Sequence, residues 1–250
     1  MNVVNYKVRK PIPELADFVE SFWMLANPFD EEKEVVVVPD GRIDLCFSIS
    51  ATEPYHVMLA GLDSEPACSS IAPHSVMFAV SFNLLAVEYL LDNQVSSLLN
   101  ERLVLPDDFW GMAANDLTDF DEFCTKATHT MLKALKPDLD SRKRKLFEMV
   151  YSTMGAVTIQ EISDTVHWSS RQINRYFSQQ FGLPLKTYCT ILRFRASFPQ
   201  ITHGKLFPEQ NFADQAHFIR EVKKYAGATP KELKQNKNDR FIQFSVLKQK

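Results

Sequence analysis

The hydrophobic positions of this chain change period part-way along. In the first half, short β-branched and alternating runs dominate. Val35-Val36-Val37-Val38 closes on the turn sequence Pro39-Asp40-Gly41. Ile43-Asp44-Leu45-Cys46-Phe47-Ser48-Ile49 then alternates like a strand with one buried face. Tyr55 to Leu59 and Val76 to Phe82 are further predicted strands. Leu15, Phe18, Val19 and Phe22 recur instead at helical spacing behind Pro11 and Pro13, and helical patterns return at Leu84 to Leu91 and Phe120 to Leu135. This half reads as a β-rich sandwich or barrel with flanking helices.

Lys136-Pro137-Asp138-Leu139-Asp140 breaks the helical pattern and divides the chain into an N-terminal domain, 1–138, and a helical C-terminal domain, 139–250. Leu146, Met149 and Val150 mark the first helix of the second half. Thr158-Ile159-Gln160-Glu161 is a capping box that opens a short helix carrying Ile159, Ile162 and Val166. Ser169-Ser170-Arg171-Gln172 is a second box a few residues later; its helix turns Ile173, Tyr176 and Phe177 inward and ends at Gly182. The fold class is therefore α+β, a β-rich front domain followed by an all-α domain with two helix-turn-helix units, at about 156–182 and 205–230. The tail, Arg240-Phe241-Ile242-Gln243-Phe244-Ser245-Val246-Leu247, is apolar and strand-like, and is expected to fold back as an extra strand or to dock on the front domain.

Charge sharpens this division. Residues 142–250 hold 19 Lys+Arg and 8 Asp+Glu, a balance of +11; residues 1–141 hold the remaining 9 and 23, a balance of -14, and the two return the overall -3. A basic half attracts a polyanion such as DNA independently of base sequence. Within it, Arg171, Gln172, Asn174, Arg175 and Ser178 point outward from the helix after Ser169. Arginine pairs bidentately with guanine, and Asn or Gln with adenine. Ser169 and Ser170 suit a phosphate at the helix N-terminus.

A second segment repeats this logic. Asp214-Gln215-Ala216-His217-Phe218-Ile219-Arg220-Glu221-Val222-Lys223-Lys224-Tyr225-Ala226-Gly227 has a capping residue first, an anchor four positions on (Phe218 against Ile173), a basic residue two further (Arg220 against Arg175) and a closing glycine. Two such units suit successive major-groove contacts ~34 Å apart on double-stranded DNA.

On these residues, together with Gly182, Pro184, Tyr188, Arg193 and Gly227-Ala228-Thr229-Pro230, the stretch from Leu146 to Leu233 resembles the AraC/XylS family of transcription activators. The resemblance implies seven helices with a linker helix between the two units. It implies base contacts at Arg171, Asn174 and Arg175, and at Gln215, Ala216, Ile219 and Arg220. His217, Lys223 and Lys224 complete the candidate DNA-binding set. One departure stands out: Pro199, Gly204 and Pro208 interrupt the stretch where the family carries the scanning helix of its second unit, so that helix is expected to be short or missing.

Tyr6 to Gly111 resembles the uncharacterised domain found ahead of such DNA-binding regions, on Leu15, Phe18-Val19, Phe22-Trp23, Pro39-Asp40-Gly41, Asp44-Leu45, Phe47, Gly61 and Val80-Ser81-Phe82. That implies a sensing or dimerising role and names no ligand. No phosphate-loop glycine motif, zinc spacing, HExxH or GxSxG occurs, and no enzymatic activity, metal or cofactor is expected. His56 and His74 are isolated, Asp40 and Asp44 read as turn and strand residues, and Trp23 and Trp110 as core or interface aromatics with a ligand cage as the other reading. Cys46, Cys68, Cys124 and Cys189 are too scattered for a disulfide or zinc pattern. Neither a signal peptide nor a membrane-spanning apolar run is evident, so a cytoplasmic, nucleoid-associated bacterial regulator is expected. Besides DNA, its further partners would be RNA polymerase, a second copy of the chain and an unknown small-molecule effector. Two alternatives stay open: a helix-turn-helix protein that has lost DNA readout and acts through protein contacts, and an enzyme-like front domain tethered to DNA.

Overall fold

The computed structural model describes residues 4–91, 95–207 and 212–247; Pro208 lies outside them. The chain is α+β and clusters into two units. The first comprises Met1–Lys33, Arg42–Gly61 and Ser70–Asp140; the second comprises Glu34–Gly41, Leu62–Ser69 and Ser141–Lys250. No helix among the described residues is long and apolar enough to cross a membrane.

The first unit is built on a six-stranded antiparallel sheet. Its strands are β1 (Asn5–Arg9), β2 (Val19–Asn27), β4 (Ile43–Ile49), β5 (His56–Ala60), β7 (Ser75–Phe82) and β8 (Arg102–Leu105), in the order β1-β2-β7-β4-β5-β8. The remaining strands, β3 (Lys33–Val37) and β6 (Ala67–Ile71), pair with each other. Registers Leu45↔Val80 and Phe47↔Phe78 align apolar side chains on one face. Helix α2 (Phe120–Ala134) covers that face: Phe123 meets Phe47 and Phe78 edge-on, both at 5.4 Å, and Phe120 meets Phe78 at 5.3 Å. Such aromatic edges add to the burial of the rings themselves.

Two expectations for this half are corrected. The Leu15 to Phe22 spacing does not make a helix. Only Pro13–Leu15 forms a 3-10 turn, and Val19 begins β2. Pairing on both sides, with β1 and β7, outweighs a helical spacing carried by residues that are themselves good strand formers. The Leu84 to Leu91 pattern shrinks to a four-residue helix, α1 (Ala86–Tyr89).

The helices of the second unit are α3 (Ser141–Ser152), α4 (Ile159–Val166), α5 (Ser170–Phe181), α6 (Leu185–Ala196), α7 (Phe198–Thr202), α8 (Gln215–Ala226), α9 (Pro230–Gln235) and α10 (Ile242–Leu247). The strand expected in the tail is helix α10. Phe241, Phe244 and Ser245 are buried at steps of three and four, a helical spacing, and Phe241 alone keeps a β-bridge, parallel to Val36. Buried Asn236, at φ +39°, organises this turn. Its amide donates to the Phe241 carbonyl and the Ser245 hydroxyl, and its carbonyl accepts from the Phe241 amide.

The two early segments, Glu34–Gly41 and Leu62–Ser69, are thus structural parts of the helical unit. The Val36 amide donates to the Arg240 carbonyl at 2.7 Å. The Gln243 side chain donates to the Val38 carbonyl (2.8 Å) and accepts from its amide (3.2 Å), as a strand neighbour would. The Tyr188 hydroxyl of α6 donates to the Gly41 carbonyl at 3.0 Å. Gly41 has φ +75°, and a Cβ there would stand 2.9 Å from Leu192 Cδ2 and 3.2 Å from the Tyr188 ring. Backbone conformation and close approach therefore both require glycine. Gly41→Ala should destabilise the fold by about 1–3 kcal/mol, read as a lower melting temperature in a thermal unfolding scan; an unchanged melt would show that this contact is not tight in solution.

Candidate nucleic-acid interface

The first helix-turn-helix is assembled from its caps. At α4, Thr158 accepts from the Glu161 amide and the Glu161 carboxylate accepts from the Thr158 amide at 2.8 Å. The helix ends at His167, whose φ of +55° turns the chain sharply, and Ser163 ties the turn by donating to the Trp168 carbonyl at 2.6 Å. The second capping box then starts α5: Ser169 Oγ accepts from the Gln172 amide, and Gln172 Oε1 accepts from the Ser169 amide. Ile173, Phe177 and Phe181 are fully buried, and Gly182 closes the helix at φ +77°. Tyr176, expected inside, is half-buried and meets the Trp168 ring edge-on at 5.6 Å.

The buried face of α5 fixes which residues turn outward. Arg171 and Arg175 are exposed, one helical turn apart. Gln172 and Asn174 are less available than the sequence suggests. The Gln172 side chain is engaged in the cap, and Asn174 donates to the Ser170 carbonyl at 3.0 Å. Ser169 is exposed at the N-cap and Ser170 half-buried beside it.

The second unit carries the same cap-and-anchor arrangement on α8. Asp214 accepts from the His217 amide at 2.7 Å, Phe218, Val222 and Tyr225 are buried, and Gly227 ends the helix at φ +64°. Gln215, Ala216, Ile219, Arg220, Lys223 and Lys224 are exposed. His217 is not part of that outer row: its Nδ1 accepts from the Ala213 amide at 3.3 Å, and its ring lies against Phe212. Lys224 leans over the Tyr225 ring at 4.9 Å. Burial, and secondarily the neighbouring Glu221 carboxylate, push the Tyr225 hydroxyl up to about 12. The helix ahead of α8 is the five-residue α7, with Pro199 in its first turn. Phe198 of α7 meets Phe194 of α6 at 4.9 Å and Phe244 of α10 at 4.8 Å, so the short helix is wedged between aromatic rings.

A third capping box, Thr229 with Glu232 at the start of α9, went unread in the sequence although its T-x-x-E spacing was visible. The other candidate polar and aromatic groups have separate partners. Asp44 accepts from the Trp23 indole at 3.2 Å, whereas Asp40 lies 4.0 Å from Arg195. His56 is bonded to Ser48 and His74 to Asp30. Trp110 meets Phe82 edge-on and stacks on Phe109. All four cysteines are free; burial raises the thiol pKa of Cys46, of Cys124 to about 12 and of Cys189 to about 11, whereas Cys68 is exposed.

Residues 7–104 match the profile of a family described as a domain of unknown function, DUF6597. No curated protein matches the chain in sequence. Among solved structures, an apo variant of ToxT from Vibrio cholerae strain SCE256 aligns with a TM-score of 0.47 and 13% identity, over 90% of this chain and 98% of that one. A 1.65 Å structure of ToxT from Vibrio cholerae aligns at 0.45 and 14%, over 92% and 96%. The AraC-like transcriptional activator CuxR aligns at 0.25 and 9%, over 80% and 88%.

The caps carry a pH signature. Hydrogen bonds from the Thr158 amide and hydroxyl hold Glu161 below the ordinary glutamate pKa, and those from Thr229 do the same for Glu232. A depressed carboxylate pKa contributes stability that is present at neutral pH and is lost as pH falls through the depressed value. Melting temperature should therefore fall below about pH 4. The double variant Glu161→Gln/Glu232→Gln keeps the acceptor oxygens and should show a smaller acid-side fall; a fall identical to that of the unmodified chain would assign the acid sensitivity elsewhere.

Proposed function

We propose that this protein is a sequence-specific transcription regulator of the AraC type, binding double-stranded DNA through α5 and α8. The observation that carries the reading is the first helix-turn-helix: a doubly capped α5, anchored by Ile173, Phe177 and Phe181, presents exposed Arg171 and Arg175 one turn apart. The +11 balance of residues 142–250 supplies the accompanying attraction to phosphates. Arg171 and Arg175 read guanines in the major groove, and Ser169 and Ser170 contact the phosphate at the start of α5. Asn174 joins the readout by releasing its bond to Ser170. On α8, Arg220 and Gln215 supply polar contacts, Ala216 and Ile219 meet thymine methyls, and Lys223 and Lys224 approach the backbone. The domain boundary lies near 138, and the β-rich domain tunes DNA binding through a small-molecule effector or by pairing two chains. The protein acts in the bacterial cytoplasm, on the nucleoid, with RNA polymerase as its further partner, and performs no catalysis.

A second reading, in which the helix-turn-helix pair serves protein contact, draws on exposed apolar Ala216 and Ile219 and on the shortness of α7. Selection of bound genomic fragments separates the two. The purified protein should enrich one motif, and Arg175→Ala should weaken binding to it by about 5–150-fold, equivalent to ~1–3 kcal/mol for one bidentate base contact. Failure to enrich any DNA, with a salt-insensitive protein partner instead, would favour the second reading.

A further inference from the structure

We propose that β8 is a self-pairing edge: two copies of this chain join their six-stranded sheets antiparallel through it, with Val104 of each on the two-fold axis. This rests on the regulator reading above and makes its pairing of two chains a definite contact. Its test uses no DNA, so the contact and the DNA reading can fail separately.

β8 ends the order β1-β2-β7-β4-β5-β8, and among the described residues it pairs with β5 alone. That pairing fixes which backbone groups it turns outward. The Gly61 amide donates to the Glu101 carbonyl at 3.1 Å, in continuation of the register Leu59↔Leu103 and Val57↔Leu105. Hydrogen-bonded and non-hydrogen-bonded positions alternate along an antiparallel pair. Glu101, Leu103 and Leu105 therefore direct their backbone groups at β5, and the N–H and C=O of Val104 point away from the sheet. Val104 is 69% exposed, more than any other large apolar residue described, and Leu103 beside it is 43% exposed.

Sheets usually protect their edges with charge, because an open edge pairs with other chains. β1, the opposite edge, is protected in this way: Lys7 and Arg9 lie within it and Lys10 just beyond. β8 is not. Its one charged side chain, Arg102, is engaged with the preceding residue, donating to the Glu101 carbonyl at 3.1 Å. Two apolar rows run to this edge instead. Buried Val80, Leu45 and Leu59 end on Leu103, and buried Phe78, Phe47 and Val57 end on Leu105. A second β8 is complementary to it. About a two-fold axis at Val104, each Val104 amide donates to the other Val104 carbonyl. Leu103 of each chain then stands opposite Leu105 of the other, so both rows continue into the second sheet. Pro106 has no N–H and stops the pairing. Pairing β8 with β1 of a second copy would instead bring Arg102 to a strand carrying Lys7 and Arg9, and, being head-to-tail, would not close. A contact built on one four-residue strand is small, so the dimer forms and dissociates with concentration.

Sedimentation velocity of the full chain over a concentration series reads the contact directly, with the fold of each variant checked by thermal melting. The wild type should pass from monomer to dimer. Val104→Lys and Val104→Glu should each stay monomeric where the wild type is dimeric, because like charges then face each other across the axis. An equal mixture of these two variants should recover the dimer, with Lys opposite Glu, as a two-fold pairing centred on Val104 requires. Leu132→Lys, at an exposed apolar position of α2, should associate as the wild type does. A wild type that stays monomeric throughout, charge variants that dimerise like it, or a mixture of the folded variants that stays monomeric would each overturn the pairing. Growth into open-ended oligomers would also overturn it, in favour of β8 against β1.

Discussion

The helical unit depends on one ring. Phe177, fully buried on the inner face of α5, lies 5.7 Å from Phe147 of α3, 5.2 Å from Phe181 in the next turn of α5 and 5.8 Å from Tyr188 of α6. It therefore touches the helix that flanks α5 and the one that leaves it. Each of these aromatic contacts is modest, but their convergence on one side chain leaves α5 a single rotational setting about its axis. That setting decides that Arg171 and Arg175 face solvent. The linkage continues outward, because Tyr188, in contact with Phe177, also holds the Gly41 carbonyl through its hydroxyl. Core packing and the orientation of the candidate reading surface are the same constraint seen from two sides.

The second unit reaches a comparable result with less helix. A full partner helix ahead of α8 would supply its own buried stripe. Here α7 supplies five residues, and rings from elsewhere make up the difference: Phe194 stacks on Tyr225, Phe198 packs on Phe244, and Phe212 packs on Phe218. The chain's abundant phenylalanine, 19 residues, thus substitutes for helical length. Because Phe244 belongs to α10, the tail contributes to the second unit's core.

Much of this was legible in the sequence, and the failures are instructive. The boxes at Thr158 and Ser169 were readable because a cap is local, fixed by residues three apart. Strands β4 and β7 were readable because β-branched and aromatic residues cluster there, although the structure buries both faces from Leu45 to Ser48 and from Phe78 to Phe82. Strand β2 was misread because four apolar residues happened to satisfy a helical spacing, and its pairing with β1 and the distant β7 is what reveals the sheet. The tail was misread the opposite way, since Phe241, Phe244 and Ser245 already stood at helical intervals. At the candidate interface, exposed Arg171, Arg175 and Arg220 could be found by subtracting the buried anchors. The engagement of Gln172 was implied by its own capping box, for a side chain that closes a cap cannot simultaneously face a base. His217 could not be placed from sequence, because its partner is a backbone amide in the preceding loop.

Segments 34–41 and 62–69 give the chain an unusual genetic consequence. A helical unit completed by peptides from far upstream is not a cassette. Recombination at the obvious junction near residue 138 would deliver helices without the strand that the Gln243 side chain and the Arg240 carbonyl bond to, and without the glycine that Leu192 and Tyr188 pack upon. Insertions within Glu34–Gly41, which would ordinarily count as loop variation in the front half, fall within the helical unit's own structure. The two halves of such a gene are bound to diverge together, and a chimaera would inherit function only if those two short upstream stretches travelled with the helices.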